Sequence, residues 1–340
     1  MAGTGGGDDE IRQLRKAVQG TLGTTREALP HDVDTTWRSG WPALAELGVT
    51  GLCVPEAKGG FGLRVDACVA VAMDLGAALH PAPFAGTVAC AHVLGTGSAA
   101  GLDALLAGVL DGSRVCAYGR LSGDGRTARL VDGAAASDAL LLIDPSGLPC
   151  LFTDPAGWSA QPIQHPFDVS RSCADVVVDP AFAEPLVPGS IQTSDALYRL
   201  LLCADTVGGL ERVLDRTVAY AKERQAFGRA LAGFQAVQHR LVDHAVRSRG
   251  MTLLLTQAAR SIDTGDSAAV RSVAIAEVSI SQTAAHIIHD LLQLTGAIGF
   301  TWEYGLHFFD RRAHHNARLA ANPRAAITEL AAIEGWSHAG

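Results

Sequence analysis

Apolar residues recur at helical spacing in WPALAELG (41–48) and VDACVAVAMDLGAAL (65–79). This texture predicts helix from about Asp8 to Arg114, after a Gly-rich start expected to fray. VTGLCVPEAKGGFGL (49–63) breaks the pattern with Pro55 and the Gly59-Gly60 pair, and PAP at 81–83 breaks it again. Near Ser113 the pattern changes. RVCAYGRL, RTARLVDGA, ALLLID, LPCLFTD and CADVVVD are short β-rich runs separated by Gly, Pro and Asp, a spacing that suggests a small antiparallel barrel or sandwich. From about Thr193 the helical period returns, in segments reaching Ser248, then from Gly250 to Asp263, from Ser267 to Leu294, and from Arg324 onward. The chain therefore reads as α+β: an N-terminal helical domain (1–112), a middle β-domain (113–190) and a C-terminal helical bundle (191–340) whose long helices suit an oligomer interface.

Composition narrows the function classes. The 340 residues are 48% hydrophobic and carry a formal charge of −8, which leaves room for a large core and argues against nucleic acid. No uninterrupted apolar run approaches the roughly 20 residues of a membrane span, and MAGTGGGDDE has no signal-peptide pattern. Seven scattered cysteines form no CxxC pair, so neither a disulfide framework nor a zinc site is expected. The expected setting is a reducing cytoplasm. His286 and His289 stand three apart, with no third ligand nearby in sequence, and no metal is expected.

Two interruptions in the C-terminal helices hold the candidate chemistry. In ERQAFGRALAGFQAVQ, Gly228 and Gly233 bend or end one helix and a new one begins around Phe234. A helix–turn–helix there leaves backbone N–H groups open beside Arg224, an arrangement suited to a phosphate. In QLTGAIGF, Gly296 and Gly299 close a helix and let a ligand approach the backbone. On composition alone an ordinary helix C-cap followed by a turn is the preferred reading of either stretch.

YAKERQAFGRALAGFQAVQHRLVD (220–243) resembles the flavin-adenine segment of acyl-CoA dehydrogenases, and QLTGAIGFTWEYGLHFFDRRA (293–313) resembles their C-terminal flavin loop. LAELGVTGLCVPEAKGGFGL is similar to their N-terminal helical domain, and CAY at 116–118 sits where their β-domain begins. The resemblance implies the family's fold, with a middle antiparallel β-barrel and a C-terminal four-helix bundle, and FAD as cofactor. It implies that Arg224 and Phe227 meet the pyrophosphate and adenosine of FAD, with Gln235 beside them and Gln293, Gly296 and Ala297 lining the same half. In this family these residues reach across a dimer interface to a cofactor held mainly by the neighbouring subunit.

The same resemblance shows what is missing. The family's glutamate base takes an α-proton from an acyl-CoA while hydride leaves the β-carbon for the flavin. At one base position this chain has Ala320, and at the other Tyr198. CAYGRLSGDG offers Leu121 near an expected flavin-ring hydroxyl, and DALLLIDPSG lacks the second flavin-contacting pattern. The resemblance thus implies a retained adenosine half and a degraded ring half. In length and in these losses the chain is similar to the short, base-lacking subunit of the α2β2 acyl-CoA dehydrogenases of actinobacterial sterol catabolism. This implies a longer homologue carrying the glutamate as partner, and an acyl-CoA as substrate. Arg199, beside Tyr198, reads either as a substrate contact or as a surface charge. Asp205 reads as a buried ion pair ahead of a displaced base, since it lies seven residues past Tyr198, about 10 Å along a helix. His314-His315 could stand in for the base, Glu303 is expected to tie the flavin loop to a helix, and Arg311-Arg312 to pair with acids.

Overall fold

A computed structural model describes residues 4–23, 37–97, 102–186, 191–320 and 323–336. Five helices come first: α1 (Thr4–Gly23), α2 (Trp37–Ala45), α3 (Val65–Ala77), α4 (Phe84–Thr96) and α5 (Leu102–Leu110). Helix begins at Thr4 and takes in the glycines expected to fray. The break at 49–63 is built from two 3-10 turns, Val49–Gly51 and Glu56–Lys58. Helix α4 is buried along nearly its whole length, which suits a sequence that is apolar or small on every face.

Seven strands follow: β1 (Cys116–Arg120), β2 (Thr127–Asp132), β3 (Ala139–Ile143), β4 (Pro149–Phe152), β5 (Trp158–Pro162), β6 (Cys173–Val178) and β7 (Glu184–Pro185). They form two sheets, ordered β1-β3-β4-β7 and β2-β6-β5, and no closed barrel exists among the described residues. Nor is the domain wholly antiparallel, because β1 and β3 pair in parallel, Ala117 opposite Leu140. The cause lies in β3. Leu140 and Leu142 enter an apolar cluster shared by the two sheets, while Leu141 and Ile143 join the larger core that includes the helices. A strand buried on both faces reads as an unbroken apolar run, as ALLLI does. β5 escapes the sequence reading because WSAQP is a half-exposed edge strand.

The remainder is α6 (Ile191–Glu223), a hairpin of β8 (Gln225–Ala226) and β9 (Arg229–Ala230), α7 (Gln235–Asp263), α8 (Ala269–Thr295), α9 (His307–Ala320) and α10 (Pro323–Ile333). The break expected between Ser248 and Gly250 does not occur, since α7 runs through it. One interior glycine costs only about 1 kcal/mol, which a 29-residue helix packed on its neighbours absorbs. Helix α6 is the axis of the molecule. A Cβ on Gly76 of α3 would lie 1.9 Å from the Asp205 carbonyl oxygen, and one on Gly208 of α6 would lie 2.0 Å from that of Met73. The two helices therefore cross backbone to backbone, and only glycine fits at either contact. Among the described residues, no helix is long and apolar enough to cross a membrane.

Candidate functional site

The first interruption is more specific than a bend between helices. α6 stops at Glu223, and the Leu231 N–H then donates to the Arg224 carbonyl (2.9 Å), closing the β8–β9 hairpin. Its two-residue turn, Phe227-Gly228, has positive φ at both positions, 51° and 79°. That is the type I′ pattern favoured in tight hairpins, and phenylalanine adopts it only under strain. The turn holds the Phe227 ring 96% exposed. Arg224 and Gln235 are exposed too, and no side chain caps the start of α7.

At the second interruption α8 ends in Gly296, whose φ of 67° and ψ of −150° suit glycine alone. Gln293, Gly296 and Ala297 are all exposed. The two interruptions meet at one end of the bundle. Arg240, near the start of α7, donates to Asp290 near the end of α8 (Nε to Oδ2, 3.1 Å), and His244 Nε2 lies 2.6 Å from the same carboxylate. Tyr220, near the end of α6, stacks edgewise on Tyr304 just past Gly296, with ring centroids 6.2 Å apart. The Arg216 guanidinium lies 4.5 Å from the Tyr304 ring and donates to its carbonyl, so Tyr304 makes the tie expected of Glu303, which is exposed. Sequence reasoning missed Arg229, whose guanidinium stacks 3.9 Å from the Phe234 ring centroid beside the hairpin. A second arginine five residues after Arg224 was the available signal.

The two residues that stand where the resemblance puts the base are both buried. Tyr198 is 3% exposed, and its ring lies 4.5 Å, centroid to centroid, from Tyr118. The Tyr118 hydroxyl donates to Asp195 Oδ1 (2.9 Å), and burial pushes the Tyr198 hydroxyl pKa far up, so neither group is poised to take a proton. Ala320 is buried at the end of α9. Arg199 is not the surface charge its sequence position allowed. It is 3% exposed, and it donates to Glu277 (Nε to Oε2, 2.6 Å) and Glu329 (Nη2 to Oε2, 2.5 Å). Those donors face carboxylates of α8 and α10, so the arginine joins the bundle together.

Asp205 sits in a buried ion network. Its Oδ1 accepts from Arg312 Nε (3.0 Å) and Asn316 Nδ2 (2.7 Å), and its Oδ2 accepts from Arg312 Nη2 (2.8 Å). Arg171 bridges from Asp132 to Asp205, 3.4 Å from the latter. Burial alone would raise the Asp205 pKa, but Arg312, Arg171 and the hydrogen bonds outweigh it and hold the carboxyl below its ordinary value. An acid held in that state makes a poor base. His315 is buried and 3.2 Å from Cys173 Sγ, and burial lowers its pKa to about 4. His286 and His289 are exposed, and no group of three metal-ligating side chains occurs among the described residues.

A profile for the acyl-CoA dehydrogenase N-terminal domain matches residues 8–113, and one for the C-terminal domain matches residues 190–320. The acyl-CoA dehydrogenase IpdE2 of Mycobacterium tuberculosis is 34% identical over 291 residues, 85% of each chain. The chain belongs to the acyl-CoA dehydrogenase family. Two solved structures share its fold. A variant of the steroid ACAD Tcur3481–Tcur3483 aligns with a TM-score of 0.85 at 24% identity, over 97% of this chain and 98% of that one. The ChsE4–ChsE5 complex of Mycobacterium tuberculosis aligns at 0.83 and 23%, over 99% of each. FAD is the family's cofactor, and a further solved chain of this fold is an FAD complex. The open end of the bundle fits such a group in this chain. An uncapped helix start, an exposed arginine and a glycine-opened backbone together suit a pyrophosphate.

Proposed function

We propose that this chain is the base-lacking subunit of a heteromeric FAD-dependent acyl-CoA dehydrogenase. It gives the adenosine and pyrophosphate grip to a cofactor whose ring lies in a longer partner subunit, in an α2β2 assembly. One contrast carries the reading: the two positions where the family's base is expected hold buried Tyr198 and Ala320, while Arg224, Phe227, Gln235, Gln293, Gly296 and Ala297 stand exposed at the open end of the bundle. Tyr198 at the inner position packs on Tyr118, and the carboxylate beside that pair, Asp195, is engaged by the Tyr118 hydroxyl and by Arg120. The two-protein solved complexes of this fold support the heteromer, and the steroid ACAD among them supports an acyl-CoA with a steroid body as substrate.

FAD, when bound, accepts the hydride from the β-carbon of the thioester. This chain's part is binding and orientation. Arg224 donates charge-assisted hydrogen bonds to phosphate oxygens, Gln293 and the open backbone at Gly296 meet the same half of the cofactor, and Phe227 covers the adenosine. The α-proton goes to the partner's glutamate.

Flavin stoichiometry tests the reading. A whole site needs the partner's ring pocket and this chain's grip, so the purified tetramer is expected to hold two FAD, measured as flavin absorbance against protein mass. Four tightly bound FAD per tetramer, or a flavin-loaded homotetramer of this chain that oxidises acyl-CoA, would sink it. A colourless complex whose partner stays active after Arg224→Ala would make the chain a scaffold only.

A further inference from the structure

Of the clefts that the function described above leaves unused, one is apolar on one side and basic on the other. It lies between the middle domain and α9, has a volume of about 350 Å³, and is lined by Leu130, Ile163, Pro166, Phe167, His314, His315 and Arg318. That size falls at the lower end of pockets that hold small organic molecules. Its two walls differ in chemistry. The middle-domain wall is wholly apolar, and Phe167 on it is a large aromatic left 59% exposed. Leu130 belongs to the same wall through an irregularity: the β2–β6 register shifts between Ala128 and Val131, and Leu130 takes a φ of 61° with its N–H held by Asp175 Oδ1 at 3.0 Å. A leucine in the left-handed region is strained, and such strain concentrates at binding sites.

The α9 wall is basic. Arg318 is exposed and pairs with no carboxylate among the described residues, and no acid lines the cleft. The His314 ring stands edgewise to Phe167, centroids 6.3 Å apart, and 4.0 Å from Asp310 one turn back. His315 forms part of the lining and is fixed from behind by Cys173, with Sγ 3.2 Å from Nε2. Burial keeps this imidazole neutral near pH 7, so the wall's permanent charge is the guanidinium.

We propose that this cleft binds a flat, apolar small molecule bearing one anionic group, with the ring system against Phe167, Ile163 and Leu130 and the anion on Arg318. An apolar slot with a single unpaired cation at its rim selects that class: a neutral hydrocarbon leaves the arginine unused, and a polar anion leaves the aromatic wall wet.

Calorimetric titration of the full chain, purified with its partner, tests this with 1-naphthoate and the uncharged 1-naphthalenemethanol. One naphthoate is expected to bind per copy of this chain. Arg318→Gln should weaken naphthoate about tenfold while leaving 1-naphthalenemethanol unchanged. Phe167→Ala should weaken both probes several-fold. Both substitutions are on the surface, and circular dichroism checks that the fold is kept. Absence of saturable naphthoate binding, or binding indifferent to both variants, overturns the proposal. Tighter binding of the uncharged flavin ring lumichrome, unaffected by Arg318→Gln, overturns it as well and makes the cleft a flavin-ring site instead.

Discussion

Asp205→Asn separates the two roles open to this acid, because it keeps the side chain's shape and removes its charge. In the native structure three donors converge on the carboxylate: Arg312 Nε at 3.0 Å, Arg312 Nη2 at 2.8 Å and Asn316 Nδ2 at 2.7 Å. An asparagine offers one oxygen; placed at Oδ1 it keeps two of those hydrogen bonds, so the one from Arg312 Nη2 loses its acceptor, and the new amide N–H groups face a guanidinium. The lost charge-assisted hydrogen bond alone is worth about 1.5–3 kcal/mol. Breaking a buried ion pair from one side costs about 3–5 kcal/mol by direct comparison. Arg312 keeps the Ser170 oxygens and the His80 carbonyl, and Arg171 keeps Asp132, which favours the lower half of that range. A guanidinium chloride unfolding series on the purified complex measures the loss. A double-mutant cycle with Arg312→Met isolates the pair, with a coupling of about 1.5 kcal/mol or more expected for partners this close. Turnover per folded complex should be unchanged. A variant of native stability with turnover reduced a hundredfold would show that Asp205 is the base after all, and would refute the argument from its ion pairs.

Arg224→Ala should lower FAD affinity of the complex by about ten- to a hundredfold, the loss of one or two charge-assisted hydrogen bonds. Flavin content unchanged after dialysis would take the arginine out of the site. Gly208→Ala drives a methyl group against the Met73 carbonyl and should cost about 3 kcal/mol or more; an unfolding midpoint equal to wild type would deny the helix crossing. Acid should weaken the fold through its buried histidines, offset in part by Asp263, whose carboxyl burial raises to about 6. His92 and His315 have folded pKa values of about 4 because burial disfavours their charged forms. Between their ordinary value near 6.5 and about 4 the unfolded chain therefore binds protons that the folded chain refuses. Stability should fall as pH drops through that window, by up to about 1.4 kcal/mol per pH unit for each histidine. Unfolding midpoints that stay level from pH 6.5 to 4.5 would contradict this.

Local pattern was enough for most helices, because an apolar period of 3.6 and a glycine stop are properties of neighbouring residues. The α7 start at Gln235 and the end of α8 at Gly296 lie within a residue or two of where the glycines and periodicity put them. Tyr198 and Ala320, the residues standing where the resemblance puts the family's base, were also legible without coordinates. The β-runs left barrel and sandwich open, and the described residues form two sheets for a tertiary reason. Strand spacing gives the number of strands, but which strands pair depends on which faces are covered, and β3 is covered on both. Arg199 was undecidable in one dimension because its partners, Glu277 and Glu329, lie 78 and 130 residues away. Asp205 is the converse case: an acid in an apolar run announced a buried pair, but only the meeting of α6 with α9 supplied Arg312 and Asn316. The hairpin at Phe227-Gly228 shows the same division. Its glycine was visible as a break, but the I′ turn that leaves Phe227 bare depends on β8 and β9 finding each other between two helix ends. The sequence by itself determined where most of the helices begin and end. The tertiary structure decided which charges are buried in pairs and which are left exposed for a ligand, because pairing depends on contacts between distant segments that no local window contains.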